Sequence, residues 1–236
     1  MKITKNSFNR LADLFLTFLW KKAESFSRSS CYVLMFHHVT DEFVDTDASC
    51  LCRVDKFRET LTQMLDEGYS FISLDDVYSF VLSPIGQKLT TVTFDDVPEN
   101  VYHNAYPILK ELDIPFTLFI TTNFIGRKGY LTSEQIVEMS KNSLCTVGAH
   151  TETHPMLRNV NNHYEEMFNS KKVLEELLKK NVNYLAYPYG KHSSISLKVR
   201  KEAKKIGFKC AFGTIEAPIT RLSAYWKYYL PRVIIN

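Results

Sequence analysis

Apolar residues alternate along this chain between short continuous runs and longer stretches in which they recur at helical spacing. The short runs are rich in β-branched and aromatic residues, which is typical of buried strands. The longer stretches place charged residues between the apolar ones, as amphipathic helices do. Strands are predicted at residues 31–36, 90–94, 116–120, 145–149, 184–187 and 210–212.

Capping signals mark the helices between these strands. Asp55 is predicted as the N-cap of one helix, and Gly68 follows its last turn. Thr132 and Gln135 have the spacing of a capping box, which predicts the start of another helix. Besides the helix after Thr132, helices are predicted at residues 55–67, 163–180 and 195–206.

The alternation of strands and helices predicts an α/β fold with a parallel sheet or barrel. The chain has 236 residues, no internal repeat and no low-complexity linker, so residues 31–236 are predicted to form a single domain. Residues 1–30 are predicted to be an N-terminal amphipathic helical extension.

The N-terminal extension contains one apolar stretch, LADLFLTFLW at residues 11–20, with basic residues on both sides. It is about half as long as the ~20 residues that a transmembrane helix needs, and no small-residue cleavage site follows it. Residues 8–20 are therefore expected to pack on the domain or a partner, or to associate peripherally with a membrane surface. A cytoplasmic location, with or without this membrane association, is expected, and export is the alternative.

The charge balance argues against a nucleic-acid partner. Lys and Arg total 29 and Asp and Glu total 26, a net charge of +3, and the basic residues are dispersed on helical faces. The five cysteines have no framework spacing, and Cys50 and Cys52 alone are too weak a pattern for a metal site. Neither a disulfide scaffold nor a cysteine metal centre is expected.

Titratable residues directly follow the predicted strands. In a parallel sheet or barrel these strand ends meet at one edge, where α/β proteins collect their functional sites. Taken singly, the two aspartates could be ordinary loop acids, the two histidines four residues apart could be a chance pair, and YPYG could be a turn. Together, one carboxylate and two imidazoles make a three-ligand set for a divalent ion, and a neighbouring carboxylate can act as a base. The residues concerned are His37, His38, Asp95, Asp96, His150, His154 and Tyr189.

Three motifs occur in order along the chain: TFDD at residues 93–96, HTETH at 150–154 and YPYG at 187–190. In this order and spacing they resemble the polysaccharide deacetylases with a NodB homology domain, carbohydrate esterase family 4. The resemblance covers residues 31–236, and VLMFHHV at 33–39 is similar to the opening strand of many members. It implies a distorted, incomplete (β/α) barrel.

The resemblance also implies a role for each motif residue. Asp95 would be the general base. Asp96, His150 and His154 would bind a divalent metal ion, expected to be zinc. The backbone N–H of Tyr189 would stabilise the oxyanion of the reaction.

The implied activity is metal-dependent hydrolysis of N-acetyl groups on a carbohydrate substrate. That substrate would be an amino-sugar polysaccharide, an oligosaccharide or a glycan precursor. Two alternatives stay open: a carbohydrate-binding relative with weakened catalysis, and a metal-dependent amidohydrolase of a non-sugar amide.

The chain departs from the family pattern at the general acid. Many members carry an acid histidine near the C-terminus, whereas this chain has no histidine after His192. Relatives that resemble poly-N-acetylglucosamine deacetylases supply this histidine from the first strand. His37 is the candidate here, and a structural histidine is the alternative reading. His38 is expected to point elsewhere, because successive strand residues face opposite sides.

Two further positions differ from the family. Ala186 stands where an arginine often precedes the PY motif, and Arg232 is proposed to orient Asp95 instead. Val97 replaces the usual glycine after the two aspartates, where glycine permits a backbone conformation that a β-branched residue resists. Val97 is expected to narrow the substrate groove or to weaken activity, not to abolish it.

Overall fold

A parallel sheet of eight strands forms the centre of the computed structural model, which describes residues 30–82 and 88–236. The strands are β1 Ser30–Phe36, β2 His38–Val39, β3 Leu51–Cys52, β4 Ser70–Phe71, β5 Lys88–Asp95, β6 Phe116–Ile120, β7 Cys145–Ala149, β8 Tyr184–Ala186, β9 Cys210–Phe212 and β10 Val233–Ile234. The sheet order is β10-β1-β5-β6-β7-β8-β9, with β4 paired to β5 outside this path. Strands β2 and β3 form a separate parallel pair.

Helices connect the strands, as the parallel arrangement requires. The α-helices of the described residues are α1 Val54–Asp66, α2 Leu74–Leu82, α3 Tyr106–Glu111, α4 Ser133–Ser140, α5 His163–Leu178 and α6 Leu197–Ile206. A π-helical turn, Val101–Ala105, leads into α3. Short 3₁₀ turns lie at Ala48–Cys50, Thr122–Phe124, Leu157–Asn159 and Arg221–Trp226.

Alternate residues of β5 face different surroundings, as the two-residue period of a strand dictates. Phe94 faces the helices, and its ring lies 5.9 Å from that of Phe57 in α1, centroid to centroid. Thr93 and Asp95 face the barrel interior, where both contact the Arg232 side chain. The alternation therefore places the Asp95 carboxylate inside the barrel.

An irregular segment closes the barrel between its edge strands, β9 and β10. The Leu230 N–H donates to the Ala211 carbonyl of β9 at 2.9 Å, and three residues later β10 pairs with β1. Arg232 lies between these two contacts and is fully buried. This geometry confirms the predicted distorted, incomplete (β/α) barrel.

The predicted strands are all present, with ends that differ by at most two residues. The predicted N-cap at Asp55 is wrong. Helix α1 already starts at Val54, and its N-cap position, Arg53, makes no side-chain cap. Asp55 lies in the first turn and pairs with Arg53 at 3.2 Å, so its carboxylate is engaged there.

The other helix boundaries follow local capping chemistry. The capping box of Thr132 and Gln135 is confirmed at the start of α4. Helix α5 ends two residues earlier than predicted, because Lys179 adopts a left-handed conformation. Helix α6 starts two residues later than predicted, because the Ser196 side chain accepts a hydrogen bond from the Val199 N–H.

Within residues 30–82 and 88–236, no helix is long and apolar enough to cross a membrane. The stretch at residues 8–20, and the predicted N-terminal extension up to residue 29, lie outside the described residues. Both stay predictions.

Lys179 offers a test of the helix boundary, since its φ is 54°. We expect Lys179→Gly to raise the free energy of unfolding by ~0.5–1 kcal/mol, because glycine has no Cβ to clash in this conformation. Denaturant unfolding measures the change. The control is Lys172→Gly, at an exposed position inside the same helix, which should lower the free energy of unfolding by ~1 kcal/mol. A less stable Lys179→Gly variant would contradict the prediction.

Candidate active site

Asp95, the last residue of β5, lies buried against an equally buried arginine. The Arg232 guanidinium donates two hydrogen bonds to the Asp95 carboxylate, each 2.6 Å long. Burial alone would raise the pKa of Asp95, but the Arg232 charge holds that pKa well below its ordinary value. Asp95 is therefore ionised at neutral pH. The contact between Arg232 and Asp95 that the sequence suggested is present.

After Asp95 the chain turns through two left-handed residues. Asp96 and Val97 have φ values of 59° and 55°. The Val97 N–H donates to the Asp95 carbonyl at 2.6 Å, which closes the turn. Because of this turn, Asp95 contacts Arg232 in the interior while Asp96 reaches the two histidines of the HTETH motif.

The Val97 side chain is buried in the core between sheet and helices. It is not among the residues that line the site cavity, so the expectation that it narrows the groove is wrong. A left-handed φ is an outlier for a β-branched residue, which is why glycine would suit this position better.

His150 follows β7 and is held in one tautomer. Its Nδ1 lies 2.8 Å from the Ala186 carbonyl, so Nδ1 carries the proton and Nε2 has a free lone pair. Burial, only partly opposed by the Asp95 and Asp96 charges, lowers the pKa of His150 to about 4. The imidazole is thus neutral and able to bind a metal ion at neutral pH.

Asp96, His150 and His154 form a three-ligand set. Their potential ligand atoms all lie within 4.8 Å of one another, and His154 Nε2 is 3.5 Å from Asp96 Oδ1. Thr121 donates a hydrogen bond to Asp96 Oδ1 at 3.0 Å, which orients the carboxylate. Two imidazoles and one carboxylate are a donor set that fits a divalent ion and leaves positions open for water and substrate.

A cavity of about 400 Å³ connects this ligand set with Asp95, His37, His38 and Tyr189. His37 Nδ1 is buried and makes no hydrogen bond. The expectation that His38 points elsewhere is wrong: it borders the cavity, and its Nδ1 lies 2.9 Å from the Asn100 amide nitrogen. Strand β1 ends at Phe36, so strict alternation does not extend to His38.

Tyr189 borders the same cavity with a strained backbone, φ 63°. Its ring lies 5.1 Å from the His154 ring, centroid to centroid, and its side chain is 54% exposed. No residue within the described ranges accepts a hydrogen bond from the Tyr189 N–H. That N–H is therefore available to an oxyanion.

Sequence reasoning missed Tyr130, which lines the cavity, and Asn100, which contacts His38. It placed Thr121 at the strand ends but gave it no role. Tyr130 lines the cavity, and burial together with the Asp96 charge raises the pKa of its phenol. It lies in a loop that pairs with Pro98, a contact between distant parts of the chain that no motif marks. Thr121 had a weak signal, since it directly follows β6.

Most residues of the candidate site lie in a part of the chain that resembles a known protein family. A sequence profile of the polysaccharide deacetylases matches residues 83–211, which is more than half of the chain. The poly-β-1,6-N-acetyl-D-glucosamine N-deacetylase of Staphylococcus aureus is 32% identical over 160 residues. That alignment covers 61% of this chain and 53% of the relative, so the chain spans about half the length of such relatives.

Solved structures share the barrel. The Streptococcus pyogenes deacetylase PplD, determined in complex with acetate, superposes with a TM-score of 0.78 at 29% identity, covering 87% of this chain and 92% of PplD. IcaB from Ammonifex degensii superposes with a TM-score of 0.75 at 25% identity, covering 88% of this chain and 92% of IcaB.

Because the backbone of Val97 is left-handed, we expect glycine to be more stable than alanine at this position, the reverse of the usual order. Val97→Gly and Val97→Ala both lose buried methyl groups, but only glycine relieves backbone strain, which costs ~1–3 kcal/mol at such positions. We expect the glycine variant to have the higher free energy of unfolding, by about 1 kcal/mol, in denaturant unfolding. At Val92, in the extended strand β5, the same pair should show the usual order, with alanine more stable. A more stable alanine variant at residue 97 would show that the backbone there is unstrained.

Proposed function

Because the chain belongs to the polysaccharide deacetylase family, we propose that it is a metal-dependent deacetylase of N-acetylated carbohydrates. Its substrate would be an amino-sugar polysaccharide, an oligosaccharide or a glycan precursor. The observation that carries this proposal is the ionised Asp95 beside the Asp96, His150 and His154 ligand set in one cavity. A base next to a cation site is what metal-assisted hydrolysis of an amide requires.

The names of the relatives support an N-acetylated glycan as the substrate. The Staphylococcus aureus relative is a poly-β-1,6-N-acetyl-D-glucosamine N-deacetylase, and the PplD structure holds acetate, the acid that such a hydrolysis releases. A cavity of about 400 Å³ is within the size range of small-molecule sites, so we propose that one sugar residue enters it with its acetamide group.

A divalent ion held by Asp96, His150 and His154 would polarise the acetyl carbonyl and lower the pKa of a water molecule. We propose zinc, for which imidazole and carboxylate are common ligands. Asp95 accepts the proton of the attacking water, and Arg232 keeps Asp95 ionised for this task. The Tyr189 N–H donates to the oxygen on which negative charge develops.

The C–N bond breaks only if the leaving amine nitrogen receives a proton. We propose His37 as the donor, because it borders the cavity with an unpartnered ring nitrogen. It also lies near enough to Asp95 for its charge to act on that carboxylate. Water, acetamide and one proton from His37 thus give acetate and an ammonium group, while Asp95 holds the proton of the water.

Acetate release from an N-acetylated β-1,6-linked glucosamine oligosaccharide tests this function. We expect the activity to disappear after chelation and to return with one particular divalent ion. Asp95→Asn should lower kcat by at least ~100-fold, the range attributed to general base catalysis, with metal affinity preserved because Asp95 is outside the ligand set. His37→Gln should also lower kcat, while His103→Gln, at an exposed position, serves as the control.

Undiminished activity in Asp95→Asn, or after verified removal of the metal, would contradict the proposal. Binding of the oligosaccharide without acetate release would favour the carbohydrate-binding alternative. Release from small acetamides only would favour the amidohydrolase alternative.

Arg232 predicts a pH effect with a definite sign. The Arg232 charge lowers the pKa of Asp95, so in Arg232→Gln burial raises that pKa. The base is then protonated at higher pH, and the acid limb of the kcat/KM profile moves to higher pH. Arg232→Lys keeps the charge and should move the limb less. An acid limb that stays in place in Arg232→Gln, with folding verified by thermal unfolding, would refute this role.

A further inference from the structure

We propose that Glu166, on α5, is a positioning residue that holds the metal loop, residues 150–154, in its ligating conformation before the metal binds. The proposal rests on one part of the proposed function, namely that His150 and His154 are metal ligands. Glu166 itself is outside the ligand set and belongs to none of the three motifs.

The metal loop has a backbone that needs support. Thr151 and His154 are left-handed, with φ values of 69° and 63°. Such a conformation costs a residue with a side chain roughly 1–2 kcal/mol, so the loop would relax without compensating contacts. A relaxed loop would separate the two imidazoles, because one left-handed residue directly follows His150 and the other is His154 itself.

Glu166 supplies these contacts from behind the loop. Its Oε2 accepts hydrogen bonds from the Glu152 and Thr153 N–H groups at 3.1 and 2.9 Å. Its Oε1 accepts a hydrogen bond from the Thr153 hydroxyl at 2.7 Å. The carboxylate thus binds three donors of the residues that separate His150 from His154.

Burial makes this contact selective. Glu166 is only 4% exposed, and no ion pair with Lys or Arg is found for it within the described ranges. A buried carboxylate without a cation must be satisfied by hydrogen bonds, and the metal loop provides them. Any loop conformation that turns these donors away leaves a buried carboxylate without hydrogen-bond donors, which strongly disfavours that conformation.

The opposite side of the metal loop is also fixed. The Thr122 N–H donates to the Thr151 carbonyl at 3.2 Å, and the Asn123 N–H donates to the Glu152 carbonyl at 2.9 Å. Helix α5 is anchored in turn, since Met167 and Leu174 are buried in the core. The loop is therefore held between the 3₁₀ turn after β6 and the Glu166 carboxylate.

The test compares metal affinity in the full chain, stripped of metal and titrated with Zn²⁺ alone. We expect Glu166→Ala to weaken Zn²⁺ binding by about 10–100-fold, the range found when groups that orient metal ligands are removed. Glu166→Gln should remain within a few-fold of the original, because its oxygen can face the two N–H groups and its amide can face the Thr153 hydroxyl. Glu165→Ala, at the exposed neighbouring position, is the control and should bind normally.

Hydrogen exchange in the metal-free protein separates positioning from general packing. We expect the Glu152 and Thr153 amides to exchange faster in Glu166→Ala while the amides of the sheet keep their protection. If Glu166→Ala does not fold, Thr153→Ala removes one of the three contacts and should still weaken Zn²⁺ binding and speed exchange in the loop.

Two results would overturn the proposal: unchanged Zn²⁺ affinity in both Glu166→Ala and Thr153→Ala, or faster exchange throughout the barrel with no excess in the loop. Neither result concerns catalysis, because no substrate is present. Failure of the original chain to bind any divalent ion would instead refute the proposed function.

Discussion

A charge inside the barrel is tolerable only because its partner is placed there by the fold. Asp95 continues the interior-facing side of β5, and Arg232 enters from the segment that joins the two sheet edges. Burying either charge alone would cost several kcal/mol, roughly 3–5 when one partner of such a pair is removed. The same two-fold hydrogen bond that offsets this cost also keeps the carboxylate ionised, so stability and the supply of a base have one physical origin.

Backbone strain is concentrated around the same cavity. Asp96, Val97, Thr151, His154 and Tyr189 are all left-handed without being glycine. Strained residues of this kind persist only when surrounding contacts determine them, and they cluster at functional sites. Three of them carry a group of the candidate site: the Asp96 carboxylate, the His154 imidazole and the Tyr189 backbone N–H.

The geometry of parallel sheets predicted that the residues of the candidate site would meet, whereas the family resemblance assigned Asp96, and not Asp95, to the ligand set. Asp96, His150 and His154 follow the ends of β5 and β7, and such ends converge at one edge. The direction of the Val97 side chain could not be predicted from strand alternation, because the left-handed turn at Asp96 and Val97 interrupts that alternation. The role of Glu166 could not be predicted for another reason. Glu165 and Glu166 are chemically identical neighbours, and only the packing of α5 shows that Glu166 is the buried one.

The Asp95–Arg232 contact joins residues that are 137 positions apart in the chain. Bringing residues so far apart in the chain together carries a loop-closure cost in conformational entropy. In a molecule whose Arg232 segment has not docked, no arginine charge lowers the pKa of a buried Asp95, so a smaller fraction of that carboxylate is ionised and able to accept a proton. The docking that closes the barrel therefore also prepares Asp95 to accept a proton, which ties catalytic readiness to completion of the fold.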